Sequence, residues 1–220
     1  MIGAIRKSDI FSHWIVTWRC FGWRVLFHSL FSSRQETFLS LLAHDVFQPQ
    51  TESKPAQNIA QCVQLELTAQ RIYTLLAKRF EQDKALCAFF KAIGRQEAQH
   101  GELLKICKTL ANLGNWDQSL FSLWEKKIQT AETQMKNFES KSKKIDSPLA
   151  SLQLVLAIES SEINPLFTAV VTATTSKFVQ SINAYQSATQ KHIKYISKRI
   201  PEFFPELTNP CKALRKKFNL

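Results

Sequence analysis

The chain has 220 residues, 45% of them hydrophobic, with 5 Gly and 7 Pro. That allows one sizeable core plus an appendage, excludes global disorder, and favours helices over sheets. The net charge of +11 raises an anionic partner, but the basic residues are spread and no nucleic-acid-binding motif accompanies them, so nucleic acid is not an expected partner.

Residues 1–48 differ in kind from the rest. Between positions 10 and 31 stand Trp14, Trp18, Trp23, Phe11, Phe21, Phe27 and Phe31, interrupted by Arg19 and Arg24. Two mid-span arginines, each costing about 2.5–3.5 kcal/mol at the bilayer centre, argue against a transmembrane helix. A helical extension on a membrane surface, a targeting presequence, a segment packed on the main domain and an upstream extension from a misplaced start all remain open. Residues 49–55, polar and bracketed by Pro49 and Pro55, read as a linker.

Helical periodicity then predicts an all-α domain over residues 56–207. A first helix over 56–82 puts Ile59, Val63, Ala69, Tyr73, Leu76 and Phe80 on one face, with Glu66 in its middle. A second, over 84–113, sets Glu97 and His100 among Leu86, Phe90, Ile93, Leu104 and Cys107, with Gly114-Asn115 as its stop. The more polar 116–144 reads as a connecting helix. Asp146-Ser147-Pro148 opens the next helix, whose stripe is Leu152, Val155, Glu159, Glu162, Leu166 and Ala169, with a kink expected at Pro165. The last long helix, 176–199, carries Phe178, Ile182, Tyr185, Thr189, His192 and Ile196, with Pro201 ending it and a basic tail over 208–220. Five widely spaced cysteines, none in Cys-x-x-Cys, point to a reducing, cytoplasmic setting and exclude a rubredoxin-type or zinc-ribbon module.

The chemistry lies in the acids of these stripes. An ionised carboxylate in an apolar face costs several kcal/mol unless it is paired or metal-bound. Glu66, Glu97, Glu159 and Glu162, with His100 and His192, recur in four helices, and 31 residues separate Glu66 from Glu97 while 33 separate Glu159 from His192. Two halves of similar span, each offering a Glu and then a His, suit an up-down bundle holding two metal ions. The mixture of carboxylate and imidazole suits iron or manganese, and zinc as well.

Over residues 56–200 this pattern resembles the ferritin-like di-iron carboxylate superfamily, and within it the rubrerythrin group. The resemblance implies a four-helix bundle with Glu66, Glu97, His100, Glu159, Glu162 and His192 as ligands of two iron ions, and with Tyr73 as a tyrosine near the metals. It implies an oxidoreductase that reduces peroxide or consumes dioxygen, fed by a separate electron-donor protein, with a homodimer as a further expectation. Membrane-surface contact through 10–31 is expected from the basic, aromatic composition of that segment alone. One position departs from the family: three residues before His192 stands Thr189, not Glu. Thr189 supports one alternative, a non-enzymatic metal-binding or structural bundle with a degenerate site. The aromatic N-terminus and the +11 charge support another, a ferritin-like hydroxylase of a lipid quinone or tRNA base.

Overall fold

Capping residues fix where the helices begin. The computed structural model describes residues 52–112, 118–178 and 183–220, and these are all-α. The aromatic segment within 1–48 and the Gly114-Asn115 stop lie outside them. Helix α1 (Lys54–Arg79) starts two residues earlier than expected, because Ser53 Oγ accepts from the Ala56 N–H at 3.3 Å. Pro55 then falls in the first turn, where its missing N–H goes unnoticed. Helix α2 (Lys84–Asn112) is capped by Asp83, whose Oδ1 accepts from Ala85 at 3.1 Å and Leu86 at 3.0 Å.

Helices α1 and α2 form an antiparallel hairpin and share the most extensive packing of any pair. Two helical glycines line its seam. A Cβ on Gly94 would meet Tyr73 Cβ at 3.4 Å, and one on Gly101 would meet Glu66 Cβ at 3.8 Å. The seam therefore brings the two acid-bearing stretches close. Helix α3 (Gln118–Ser142) is the predicted connecting helix and runs parallel to α1. Lys54–Glu125 pairs at 2.7 Å near the start and Arg71–Glu139 at 3.5 Å further on. At the end, the Arg79 guanidinium donates to the carbonyls of Ser142 (2.8 Å), Lys143 (3.0 Å) and Ile145. Trp124, Ile128, Ala131 and Met135 of α3 are buried, so α1 is covered on two sides.

Helix α4 (Pro148–Glu159) opens as expected, with Ser147 Oγ accepting from Ala150 at 3.1 Å. The single helix predicted through Glu162 is instead two. The chain breaks at Ser160 and Ser161 and restarts as α5 (Ile163–Phe178), with Ser161 Oγ accepting from the Ile163 N–H at 3.4 Å. Pro165 lies in the first turn of the new helix, where it lacks no needed donor, so the expected kink becomes a full break just upstream of it. Residues 148–173 are long and apolar enough to cross a membrane by length and composition, but 67% of the apolar window is buried within the protein.

Helix α6 (Asn183–Phe203) continues through Pro201 rather than ending at it. A short 3-10 turn, Pro205–Leu207, leads into helix α7 (Thr208–Lys217). The predicted basic tail is thus a docked helix. Cys211 and Leu214 are buried, α7 packs on α6 and α4, and Lys217 Nζ donates to Ser160 O at 2.6 Å. Its other basic residues, Lys212, Arg215 and Lys216, face outward.

Candidate metal centre

Four helices bring five of the predicted residues together. Glu66 comes from α1, Glu97 and His100 from α2, Glu159 from the last position of α4, and His192 from α6. All five are buried, at 5% exposure or less. They form two trios, Glu66–Glu97–His100 and Glu97–Glu159–His192, in each of which the candidate donor atoms lie within 4.8 Å of one another. Glu97 belongs to both. Its Oε2 stands 3.2 Å from His100 Nδ1, and its Oε1 stands 3.0 Å from His192 Nε2.

The surroundings orient these groups. Glu159 is held at both oxygens: Tyr73 OH donates to Oε1 at 2.6 Å and Asn164 Nδ2 to Oε2 at 2.8 Å. His192 Nε2 lies 3.0 Å from Glu159 Oε2, while its Nδ1 meets Gln96 Oε1 at 2.7 Å. Because an amide oxygen only accepts, Nδ1 carries a proton, which leaves Nε2 as the inward-facing nitrogen. The His100 ring packs against Phe167 at 4.3 Å between centroids. Glu66 Oε2 is the exception, buried without a hydrogen-bond partner. His100 Nδ1 is 3.6 Å away, outside hydrogen-bond reach.

The electrostatics follow from burial and neighbours. Burial and then the Glu97 charge push the Glu66 carboxyl well above its ordinary range. Glu97 moves the other way: burial opposes its charge, but His192 and His100 overcome that and hold it well below the usual carboxylate range. His100 is also opposed by burial, yet Glu66 and Glu97 raise it to about 9. His192 is raised well above 6.5 by Glu159 and Glu97 against the same opposition. Burial, then Glu159, keeps Tyr73 firmly protonated. Without metal the shifts run toward protonated imidazoles and a protonated Glu66 beside an ionised Glu97.

Two expected features do not join the cluster. Glu162 stands apart, about a third exposed, with its carboxylate 3.5 Å from Lys127 Nζ. Glu159 and Glu162 would share a face only on one continuous helix, and the break at Ser160–Ser161 turns the second away. Thr189, one turn before His192, is buried and shares a hydrogen bond with Thr168 at 3.1 Å between hydroxyl oxygens. It supplies no carboxylate. Gln96 and Asn164 were not singled out from the sequence, where a lone amide beside a ligand carries no periodic signal. Cys62, one turn before Glu66, is buried and its thiol is pushed up to about 12, by burial first and then by Glu66, so it behaves as a neutral core residue.

The donor set fits divalent metal. Three carboxylates and two imidazoles converge, the inward nitrogen of His192 has its tautomer set from behind, and an orphaned carboxylate oxygen awaits a partner. Comparison with family models, with curated proteins and with solved structures gives no match.

Proposed function

We propose that the chain is a rubrerythrin-like oxidoreductase of the ferritin-like kind. In this reading α1, α2, the α4–α5 pair and α6 form a four-helix bundle around two metal ions, iron in the first instance. The observation that carries the reading is the division of Glu97, one carboxylate oxygen serving each trio. A bridging carboxylate is what a two-metal centre needs and what a single ion pair does not.

Glu66 and His100 Nδ1 would hold one ion, Glu159 and His192 Nε2 the other, with Glu97 between them. When bound in its reduced state, such a pair would supply the two electrons that, with two protons taken up from solvent, convert hydrogen peroxide to two waters. The chain's own groups do the rest. Gln96 and Asn164 fix the orientation of His192 and Glu159, Phe167 shields the His100 side from water, and the Tyr73 hydroxyl donates a hydrogen bond to Glu159 Oε1. No Cys-x-x-Cys pair occurs in the 220 residues, and the electrons are assigned to a separate donor protein.

A second reading has its own support. Glu162 faces outward and Thr189 is not a carboxylate, so three acids face the centre, and His192 Nε2 already lies 3.0 Å from two of them. That describes a metal-free bundle locked by a buried ion network. Metal analysis of protein purified without added metal, then of protein loaded anaerobically with ferrous ion, separates the two. The redox reading expects about two ions per chain, a near-ultraviolet absorption that bleaches on reduction and returns with peroxide, and loss of metal in Glu97→Gln. Failure to take up iron under either condition would leave the locked network.

A further inference from the structure

The outer surface between α1 and α2 holds a groove of about 400 Å³. Phe90 and Gly94 contribute its apolar floor, and its rim carries Lys78, Lys91 and Arg95 against one carboxylate, Glu81. All four charged residues are exposed. Among the described residues, none of these three cations forms an ion pair, as is also true of many other surface lysines of the chain. This is a cationic surface that the fold leaves unneutralised.

The groove also lies close to the carboxylate cluster. Its floor residue Gly94 rests against Tyr73, at 3.4 Å from Cβ to a Cβ placed on the glycine, and the Tyr73 hydroxyl donates to Glu159 at 2.6 Å. On the same helix Arg95 precedes Glu97 by two residues, and Gln96 between them bonds His192 at 2.7 Å. From rim to cluster the path is packed side chain and short backbone.

We propose that this groove is the docking surface for an acidic one-electron carrier protein, which reduces the centre through the Gly94–Tyr73 contact. The inference rests on the redox reading above. Charge selects the occupant. The undescribed residues 1–51 carry Arg6, Lys7, Arg19, Arg24 and Arg34 against Asp9, Glu36 and Asp45, a net charge of the same sign as the rim. A second copy would bring another surface of a chain with net charge +11. An acidic carrier meets the opposite sign, which accelerates encounter and orients it. Each encounter passes one electron: the carrier is oxidised, the ferric centre is reduced, and no atom is exchanged.

The test uses the full iron-loaded chain, oxidised, mixed by stopped flow with a reduced, acidic plant-type ferredoxin, whose low potential drives the transfer. At low ionic strength, Lys91→Glu/Arg95→Glu is expected to lower the second-order rate by about 10-fold or more. Lys91→Gln/Arg95→Gln should fall between the two, and Lys212→Glu/Lys216→Glu, on α7, should match wild type. Metal content and bleaching by dithionite are measured on the same samples. If wild type binds no iron or is not bleached by dithionite, the redox reading fails. If both hold, the docking inference is overturned by no reduction of wild type by ferredoxin, by equal rates in wild type and the groove variants, or by a larger loss in the α7 control. Zero-length cross-linking gives a second readout, with ferredoxin joined to Lys78 or Lys91 expected. Joining of those lysines to the chain's own N-terminal acids or to a second copy counts against it.

Discussion

Glu66 and Glu97 share one cluster, yet their carboxyls are driven in opposite directions. Glu97 has an imidazole at each oxygen, and Glu66 has burial and the Glu97 charge against it. The shift favours the protonated form of Glu66, whose shape and charge an amide nearly reproduces. Glu66→Gln, which cannot ionise, is expected to leave chelator-treated protein at least as stable as wild type in urea denaturation at neutral pH, because a raised carboxyl costs stability above its ordinary range. The same variant should lose the rise in Tm that ferrous ion gives wild type, because one trio has lost a donor. A chelator-treated variant destabilised by about 3 kcal/mol, the mark of a broken buried ion network, would show that Glu66 is ionised. Tyr73→Phe probes the other end of the cluster. It deletes the donor to Glu159 Oε1 at almost constant shape, and hydrogen bonds to a charged group contribute about 1.5–3 kcal/mol. A loss of that size in the chelator-treated protein is expected, and one near zero would remove Tyr73 from the network.

At the scale of helices, the α1–α2 seam decides how near the two acid-bearing faces come. The Cβ that Gly101 lacks would stand 3.6 Å from Leu67 Cδ2 and 3.8 Å from Glu66 Cβ, which is ordinary contact. Gly101→Ala should therefore stabilise the protein by about 0.5–1 kcal/mol through helix propensity. Gly94→Ala, tighter at 3.4 Å against Tyr73, should gain less. Urea denaturation of both checks the order, and destabilisation by Gly101→Ala would mean that the helices pack closer than described. The faces themselves were legible in the sequence, since Ile59, Val63, Glu66, Ala69, Tyr73 and Leu76 recur at helical period and are buried together. Glu97, His100, Glu159 and His192 were legible for the same reason. Glu162 was not, because periodicity assumes an unbroken helix. The signal against it was local: Ser160-Ser161 followed by Asn164-Pro165 is the chemistry of a helix that stops and restarts. The docked α7 was hidden by its charge. Only Cys211 and Leu214 among many basic residues face inward, too short a stripe to stand out.

For the molecule as a whole, charge is partitioned: a chain of net charge +11 buries a cluster of three acids, and protons and metal ions compete to neutralise that cluster. The signs can be worked out group by group. His100 is raised from 6.5 to about 9 and His192 is raised in the same direction. The His100 contribution is complete below about pH 6.5 and is lost as pH rises through about 9, and that of His192 is lost in the same direction as pH rises through its own raised value. Glu66, also raised, adds a loss in the same direction. Glu97 is lowered, so its contribution is present above about pH 4.5 and is lost only as pH falls through its depressed value. Chelator-treated protein should thus be most stable at mildly acid pH and weaken toward pH 9. Loading reverses the dependence, because a bound ion displaces the protons of His100, His192 and Glu66 and binds more tightly as those protons become easier to remove. The Tm difference between iron-loaded and chelator-treated protein, measured by calorimetry under anaerobic conditions, should therefore widen steadily from pH 6 to pH 9. A difference that narrows over that interval would mean that metal binds outside the cluster, and no difference at any pH would mean that imidazolium protons alone hold these helices together.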